Sequence, residues 1–354
     1  MSHKLVEWAS DKAIAFLSPY DTPRGMRNSE IVNGITGVPF TFKENEGVDY
    51  YSYHDIKNLS KEELLKIFNK YEYWIYPVFP EYFDMLATIR EDYKGKIIGV
   101  TDIQTHILSY WSLDDTSKFI DAMRMYDVIM STNADEVETF RGCLRDPKKI
   151  EYTGWCLYPD TIHKELYKPS TDRDKNLISV AISNPGDFNR DLLTNLEVYK
   201  RVKKAKPSVK GFMYYVTPNK TTGLGRINKQ MGVEDFTLVP ELGYIQAMEY
   251  LSKAYIGIHL YTFKVVGRLA QDCAALGIPL VGTIANLPNR LCFPKTSTID
   301  YDVRRGTELA IQLLEDEDFW LETSAYAKEF AFKFYGLEGT RNRIYKLLEQ
   351  NELV

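Results

Sequence analysis

The sequence predicts an α/β protein of two doubly wound domains, each with a parallel sheet covered by helices on both faces. Three observations support this prediction. Short apolar segments alternate with amphipathic stretches along most of the chain, as buried parallel strands alternate with helices. The 354 residues suffice for about two domains. A polar segment, 163–176, interrupts the pattern and is the best linker candidate, and the pattern starts again after it.

The first half contains short apolar runs that predict strands and amphipathic stretches that predict helices. Asp135 and Glu136 begin one of these helices, where the helix dipole favours acidic residues. The predicted strands are 13–17, 73–79, 96–101, 127–130 and 150–158, and the predicted helices are 81–93 and 135–145.

The second half repeats this architecture. Gly336 and Gly339 interrupt the pattern before a last helix, 340–349. Two doubly wound domains joined by a linker enclose a cleft into which the carboxyl ends of the strands point. The predicted strands are 176–182, 209–216, 236–239, 255–261 and 279–283, and the predicted helices are 191–206, 244–254, 268–276, 306–314 and 319–335.

Composition argues against several classes of protein. The net charge of −5 argues against a general nucleic-acid binder, which usually has a basic surplus. No apolar window approaches the roughly 18 residues of a membrane span, and the first residues lack the apolar core of a signal peptide. The cysteines have no CxxC spacing and are typical of reduced thiols: Cys143, Cys156, Cys273 and Cys292. We therefore expect a cytoplasmic protein with no integral membrane segment.

Several common site motifs are absent from the sequence. It has no P-loop and no G-x-G-x-x-G after the first strand, and Gly223-Leu-Gly225 lacks the third glycine. None of the five histidines pairs at metal-ligand spacing. Three D-x-D segments, at 172–174, 300–302 and 316–318, lie mainly in polar stretches that predict solvated surface. We therefore expect no metal site.

The strongest local signal is the segment 251–283. A predicted strand leads through Gly267 to a helix that carries Asp272 one turn in. A glycine at a helix start exposes backbone N–H groups on which a diphosphate docks. Lys264 and Arg268 flank the turn and are candidates to neutralise phosphate, and Asp272 is a candidate to accept hydrogen bonds from ribose hydroxyls. The alternative is a plain strand–turn–helix crossover with surface charges.

This segment resembles the donor-site block of the GT-B glycosyltransferases, above all the retaining group numbered four. That block is A-D-x-x-x-x-P-S-x-x-E-G-F-G-x-x-x-x-E-A-M-A-x-G-x-P-V-V. With Gly277-Ile-Pro279-Leu-Val281 aligned to its last five positions, Asp272 falls on the second glutamate, which binds the nucleotide ribose in the family. Gly267 falls on the second glycine of the turn. Lys264 replaces the first glutamate, which faces the donor sugar in the family.

The resemblance extends over about 176–348 and implies a domain organisation. Two Rossmann-like domains would face each other across a cleft, with 1–166 on the acceptor side and 167–335 on the nucleotide-sugar side. The last helix, in 336–354, would pack back on the N-terminal domain. The loop before the predicted helix at 244 would contact the nucleobase through backbone groups, and its residues are Leu242, Gly243 and Tyr244.

Further candidates follow from loops after predicted strands. Arg190 ends a loop that supplies a basic residue to the donor phosphates in the family, although it is also an ordinary arginine near a helix start. Gly25 and Arg27 lie in the loop that frames donor and acceptor in GT-B enzymes. Asp102 follows a strand within Thr-Asp-Ile, which resembles the phage DNA β-glucosyltransferases, whose aspartate is the general base. A cap of the next helix is the alternative for Asp102, and His106 is a second candidate base.

The resemblance implies a metal-independent glycosyltransferase with no required cofactor. It would move a sugar from a nucleotide-diphosphate sugar, a UDP-sugar above all, to a hydroxyl of a glycan, a small molecule or DNA. One alternative is a DNA glucosyltransferase acting on hydroxymethylated bases, which Thr-Asp-Ile favours and the acidic net charge disfavours. Another is a nucleotide-sugar-binding protein without turnover, which Lys264 at the glutamate position favours.

Overall fold

The computed structural model forms two compact units, Met1–Tyr158 with Tyr335–Val354, and Pro159–Phe334. The first boundary lies before the predicted linker, because the helix that contains His163 packs within the second unit. The residues that the structure describes are 3–18, 38–43, 48–101, 103, 105–157, 160–180, 191–216, 221–240, 242, 244–261 and 267–354.

The first unit contains a six-stranded sheet with the order β2-β1-β3-β4-β5-β6 and only parallel pairings. All residues of β1 and β3 are buried, which explains their unbroken apolar sequences. The strands are β1 (Ile14–Ser18), β2 (Asp49–Ser52), β3 (Tyr73–Pro77), β4 (Lys96–Thr101), β5 (Val128–Ser131) and β6 (Ile150–Tyr152).

Helices connect these strands, and local capping defines several of their ends. A capping box pairs Ser60 with Glu63, and the Ser112 side chain accepts from the Asp115 backbone N–H at 3.1 Å. The described helices are α1 (His3–Ser10), α2 (Val38–Phe42), α3 (Tyr53–Ile56), α4 (Lys61–Phe68), α5 (Phe83–Arg90), α6 (Thr105–Leu108), α7 (Leu113–Met123) and α8 (Ala134–Cys143).

The second unit contains a parallel sheet with the order β12-β11-β10-β7-β8-β9. The chain proceeds outward from β7 to β9 and then crosses back to β10 on the other side of β7. The strand order therefore reverses between β7 and β10, as in a Rossmann domain. The strands are β7 (Leu177–Val180), β8 (Lys210–Val216), β9 (Thr237–Pro240), β10 (Ile256–His259), β11 (Leu280–Thr283) and β12 (Ser297–Thr298).

Helices also cover the second sheet. Trp320 stacks on Tyr255 with ring centroids 4.9 Å apart, and its indole N–H donates to the Tyr255 carbonyl at 3.0 Å. The described helices are α9 (Asp160–Leu166), α10 (Leu192–Ala205), α11 (Thr221–Met231), α12 (Tyr244–Leu251), α13 (Arg268–Ala275), α14 (Leu287–Cys292), α15 (Val303–Glu315) and α16 (Glu317–Phe334).

The last helix, α17 (Leu337–Gln350), belongs to the first unit. The Arg341 Nε donates to the Thr41 carbonyl at 2.9 Å, and the Arg343 Nε donates to the Thr153 carbonyl at 2.9 Å. The prediction that the final helix packs back on the N-terminal domain is confirmed.

Two of the differences between the predictions and the structure lie within 150–176. The strand predicted at 150–158 ends at Tyr152. The predicted linker contains the end of α9 and the buried Arg173, so it is only partly a connection. Burial lowers the pKa of Arg173 to about 10, and its guanidinium donates to four backbone carbonyls: those of Lys168, Ser252, Ala254 and Leu276. No helix in the described part of the chain is long and apolar enough to cross a membrane.

Candidate functional site

The reversal of strand order between β7 and β10 locates a candidate site in the second unit. In open parallel sheets, ligands bind outside the carboxyl ends of the strands at such a switch point. Helix α13 follows β10 and begins at Arg268, and its N-cap residue, Gly267, has no side chain to cap it. The start of α13 is therefore placed where an anionic ligand is expected.

Gly267 has a left-handed backbone, with φ 70° and ψ 43°. A Cβ at this position would lie 2.2 Å from the Asn286 Oδ1, so both the conformation and the space require glycine. The helix ends at Gly277, which has φ 69° and whose backbone N–H donates to the Ala274 carbonyl at 3.0 Å. The glycines that align with the family block thus define both ends of α13.

Asp272 lies in a cluster of four side chains, which we call the Asp272 cluster: His163, Tyr244, Arg268 and Asp272. Asp272 is buried, with 2% of the residue exposed. The Oδ1 atom is 3.0 Å from the His163 Nε2, 2.8 Å from the Tyr244 hydroxyl and 3.0 Å from the Arg268 Nε. The Arg268 guanidinium also donates to the Tyr244 hydroxyl. Helices α9, α12 and α13 therefore converge on one carboxylate oxygen.

The charges in the cluster are balanced. Burial by itself raises the pKa of Asp272, but the Arg268 charge and the hydrogen bonds from His163 and Tyr244 outweigh it and hold that pKa below 3.8. Burial raises the pKa of Tyr244 above its ordinary value of 10. The aspartate is therefore ionised at neutral pH and the tyrosine keeps its proton.

Arg268 is oriented within the cluster. Its guanidinium lies 5.1 Å from the centre of the Tyr244 ring, and its side chain is 17% exposed. An arginine held by an aspartate and an aromatic ring is fixed in direction. Its predicted role at the donor phosphates remains a prediction.

The structure brings together four of the sequence-predicted site residues: Tyr244, Gly267, Arg268 and Asp272. Leu242 is partly buried, and His106 lies on α6, where only its backbone is described. The remaining candidates lie outside the described residues: Gly25, Arg27, Asp102, Arg190, Gly243 and Lys264.

His163 is the member of the cluster that the sequence did not reveal. It lies 109 positions before Asp272, within the predicted linker, so no motif or spacing connects the two. The available signal was its rarity, since the chain contains five histidines. Among the residues with described positions, no group of three or more His, Cys, Asp or Glu side chains is arranged to hold a metal ion.

No family model matches the sequence, and no curated protein matches it. Solved structures do match its fold. HepE of Anabaena, with UDP and glucose bound, has 10% identity and a TM-score of 0.66, covering 96% of this chain and 99% of that one. E. coli trehalose-6-phosphate synthase with UDP-2-fluoro glucose has 11% identity and a TM-score of 0.69, with the same coverage.

A third match covers only part of the neighbour. S. aureus TarM, in a complex that contains UDP, has 12% identity and a TM-score of 0.65 over 81% of this chain and 57% of that one. All three are GT-B glycosyltransferases. The two parallel six-stranded sheets with flanking helices, together with these matches, show that the chain has the GT-B fold.

Proposed function

We propose that this protein is a glycosyltransferase that moves a sugar from a UDP-sugar to a hydroxyl acceptor. The observation that carries the proposal is the match over 96% of the chain to a structure that holds UDP with glucose, and over 95% to one that holds UDP-glucose. Fold alone does not define function, and the second support is the site at the switch point of the second sheet.

In this proposal the donor diphosphate binds at the start of α13. Gly267, in its left-handed turn, has no side chain to cap the first backbone N–H groups of α13. These N–H groups form the positive end of the helix dipole. Arg190 and Lys264 supply further positive charge from the loops after β7 and β10. Arg268 adds a third cation at the helix start.

The same helix provides the ribose contact. Asp272 is ionised, and its Oδ2 has no hydrogen-bond partner among the described residues. An ionised carboxylate accepts hydrogen bonds, as a ribose diol requires. The backbone around Leu242, Gly243 and Tyr244 contacts the nucleobase.

The proposed reaction needs a base and a stabilised leaving group. The acceptor oxygen forms a bond to the anomeric carbon while the bond from that carbon to the diphosphate oxygen breaks. The cations at the start of α13 stabilise the UDP that leaves, with no metal required. If the reaction inverts, Asp102 takes the acceptor proton, with His106 as the second candidate base. If it retains, Asp102 orients the acceptor and the oxygen of the departing diphosphate takes the proton.

The test is a UDP-release assay with several UDP-sugars and with glycans, small alcohols and hydroxymethylated DNA as acceptors. Arg190→Ala is expected to lower kcat/KM for the donor about tenfold, because one charge-assisted contact is lost. Arg201→Ala is the matched control, since this arginine on α10 pairs with Glu197 and is 49% exposed. Nucleotide binding with no turnover of any donor and acceptor would instead support a binding protein.

A further inference from the structure

The two oxygens of Asp272 have very different surroundings. Oδ1 is contacted by three side-chain donors, whereas Oδ2 has no hydrogen-bond partner among the described residues. Oδ2 is also absent from the enclosed, unpartnered atoms of the described chain. A carboxylate has about four acceptor sites, and buried polar groups are normally satisfied. This asymmetry leaves Oδ2 as the acceptor that is available to a group outside the described residues.

The hydrogen-bond directions in the cluster fix which ring atom of His163 is the donor. An ionised carboxylate only accepts, so the Nε2 that lies 3.0 Å from Oδ1 carries a proton and donates it. The Nδ1 atom is buried and has no partner in the described part of the chain. His163 therefore holds the carboxylate through Nε2.

The number of donors exceeds what charge balance requires. Arg268 alone, one helical turn from Asp272, neutralises the carboxylate charge. His163 and Tyr244 are both buried, and both come from other helices, α9 and α12. Contacts to one oxygen from three helices fix the plane of the carboxylate, and buried polar networks of this kind specify geometry.

We propose that His163 and Tyr244 are positioning residues that fix Asp272 so that its Oδ2 receives a ribose hydroxyl of the bound nucleotide. This inference rests on the proposed function, in which Asp272 binds the donor ribose. It assigns His163 and Tyr244, both from outside the aligned donor-site block, to nucleotide selection.

The test measures selectivity for the ribose hydroxyls rather than affinity alone. Titration calorimetry gives Kd for UDP, 2′-deoxy-UDP and 3′-deoxy-UDP with each variant. The wild-type protein is expected to bind one deoxy form at least about tenfold more weakly than UDP, because a hydrogen bond to a charged group is lost. His163→Leu and Tyr244→Phe are expected to reduce this ratio to below about threefold, with little change in Kd for the same deoxy form.

Two further variants separate positioning from general stability. His163→Gln keeps an amide donor near the Nε2 position and is expected to keep most of the selectivity. Tyr250 lies on the same helix as Tyr244, α12, and its ring contacts Phe212 rather than the Asp272 cluster. Tyr250→Phe also removes a hydroxyl, and its selectivity for the ribose hydroxyls is expected to match that of wild type. Circular dichroism confirms that each variant is folded before titration.

The outcomes are distinct. Equal weakening of UDP and both deoxy forms by His163→Leu and Tyr244→Phe would mean that these residues only support the fold, which overturns the proposal. Equal affinity of the wild-type protein for all three nucleotides would also overturn it, while leaving UDP binding intact. Failure of the wild-type protein to bind UDP at all would overturn the proposed function itself.

Discussion

Asp272 and Glu136 are buried carboxylates that lie near the starts of helices α13 and α8, one in each unit. Asp272 has three side-chain donors on Oδ1, and Oδ2 is not among the enclosed, unpartnered atoms of the described chain. Glu136 accepts one backbone N–H, from Thr105 at 3.0 Å, and its Oε1 is enclosed and has no partner in the described residues. The two carboxylates therefore differ in their hydrogen-bond partners and in whether their second oxygen is enclosed.

The difference separates a local structural role from a candidate site. Glu136 lies in the first turn of α8, where the helix start favours a negative charge, and its one described hydrogen bond holds the segment after β4. Asp272 is held by an arginine one helical turn away and by a histidine and a tyrosine from two other helices. Contacts from three helices to one oxygen fix a direction, which a ligand site needs and a helix start does not.

The largest expected effect is that of Asp272→Asn. It leaves the Arg268 charge without its buried partner, and loss of one member of a buried ion pair costs about 3 kcal/mol. We expect the free energy of unfolding in urea at pH 7 to fall by about that amount. An asparagine variant as stable as wild type would show that the cluster contributes no net charge pairing.

The stability lost in Asp272→Asn is expected to depend on pH, because it depends on the charge of Asp272. The folded-state pKa of Asp272 lies below its ordinary value of 3.8, so its stabilisation is complete above pH 3.8 and is lost as the pH falls through the folded-state value. The stability difference between wild type and Asp272→Asn is expected to be the same at pH 7 and pH 5, and to shrink below pH 3.8. Urea titrations at pH 7, 5, 4 and 3 measure it. A difference that shrinks between pH 7 and 5 would contradict the assigned direction.

Gly267→Ala tests the turn that precedes the cluster. The left-handed backbone and the Asn286 amide both oppose a Cβ, so we expect a loss of about 2 kcal/mol in unfolding free energy. Gly225→Ala is the matched control. Its Cβ would meet nothing within 4 Å, and it lies within α11, where alanine is favoured by about 1 kcal/mol. Thermal unfolding of both variants measures the two effects, and equal shifts in Tm would contradict a strained turn at Gly267.

The smallest expected effect is that of Glu136→Gln. Its amide oxygen still accepts the Thr105 N–H, so the loss is limited to a charge at the start of α8 and is about 1 kcal/mol or less. UDP affinity is expected to stay within about twofold of wild type. A loss of UDP binding equal to that of Asp272→Asn would erase the distinction between the two carboxylates.

Sequence patterns predicted the buried strands well and the polar ones poorly. Strand β4 was predicted with its observed bounds, 96–101, because it is apolar almost throughout. Strand β2 (Asp49–Ser52) was missed, since three of its four residues are only partly buried or exposed and it has no apolar run. It exists because it pairs with β1, and that contact cannot be inferred from its own residues.

The site was predictable where it is local in sequence. Gly267, Arg268 and Asp272 lie within six positions of one another, and a strand, a glycine and a helix suffice to place them. His163 could not be found in this way, because its role depends on packing between α9, α12 and α13.

We propose that the carboxyl edge of the second sheet binds UDP. The most direct measurement is a thermal-shift panel of UDP, GDP, ADP, CDP and dTDP on wild type, Asp272→Asn and Glu136→Gln. UDP is expected to stabilise wild type and Glu136→Gln by about 2.7 kcal/mol at 100 times its Kd, and to stabilise Asp272→Asn much less. No stabilisation of wild type by any nucleotide at millimolar concentration would contradict the claim.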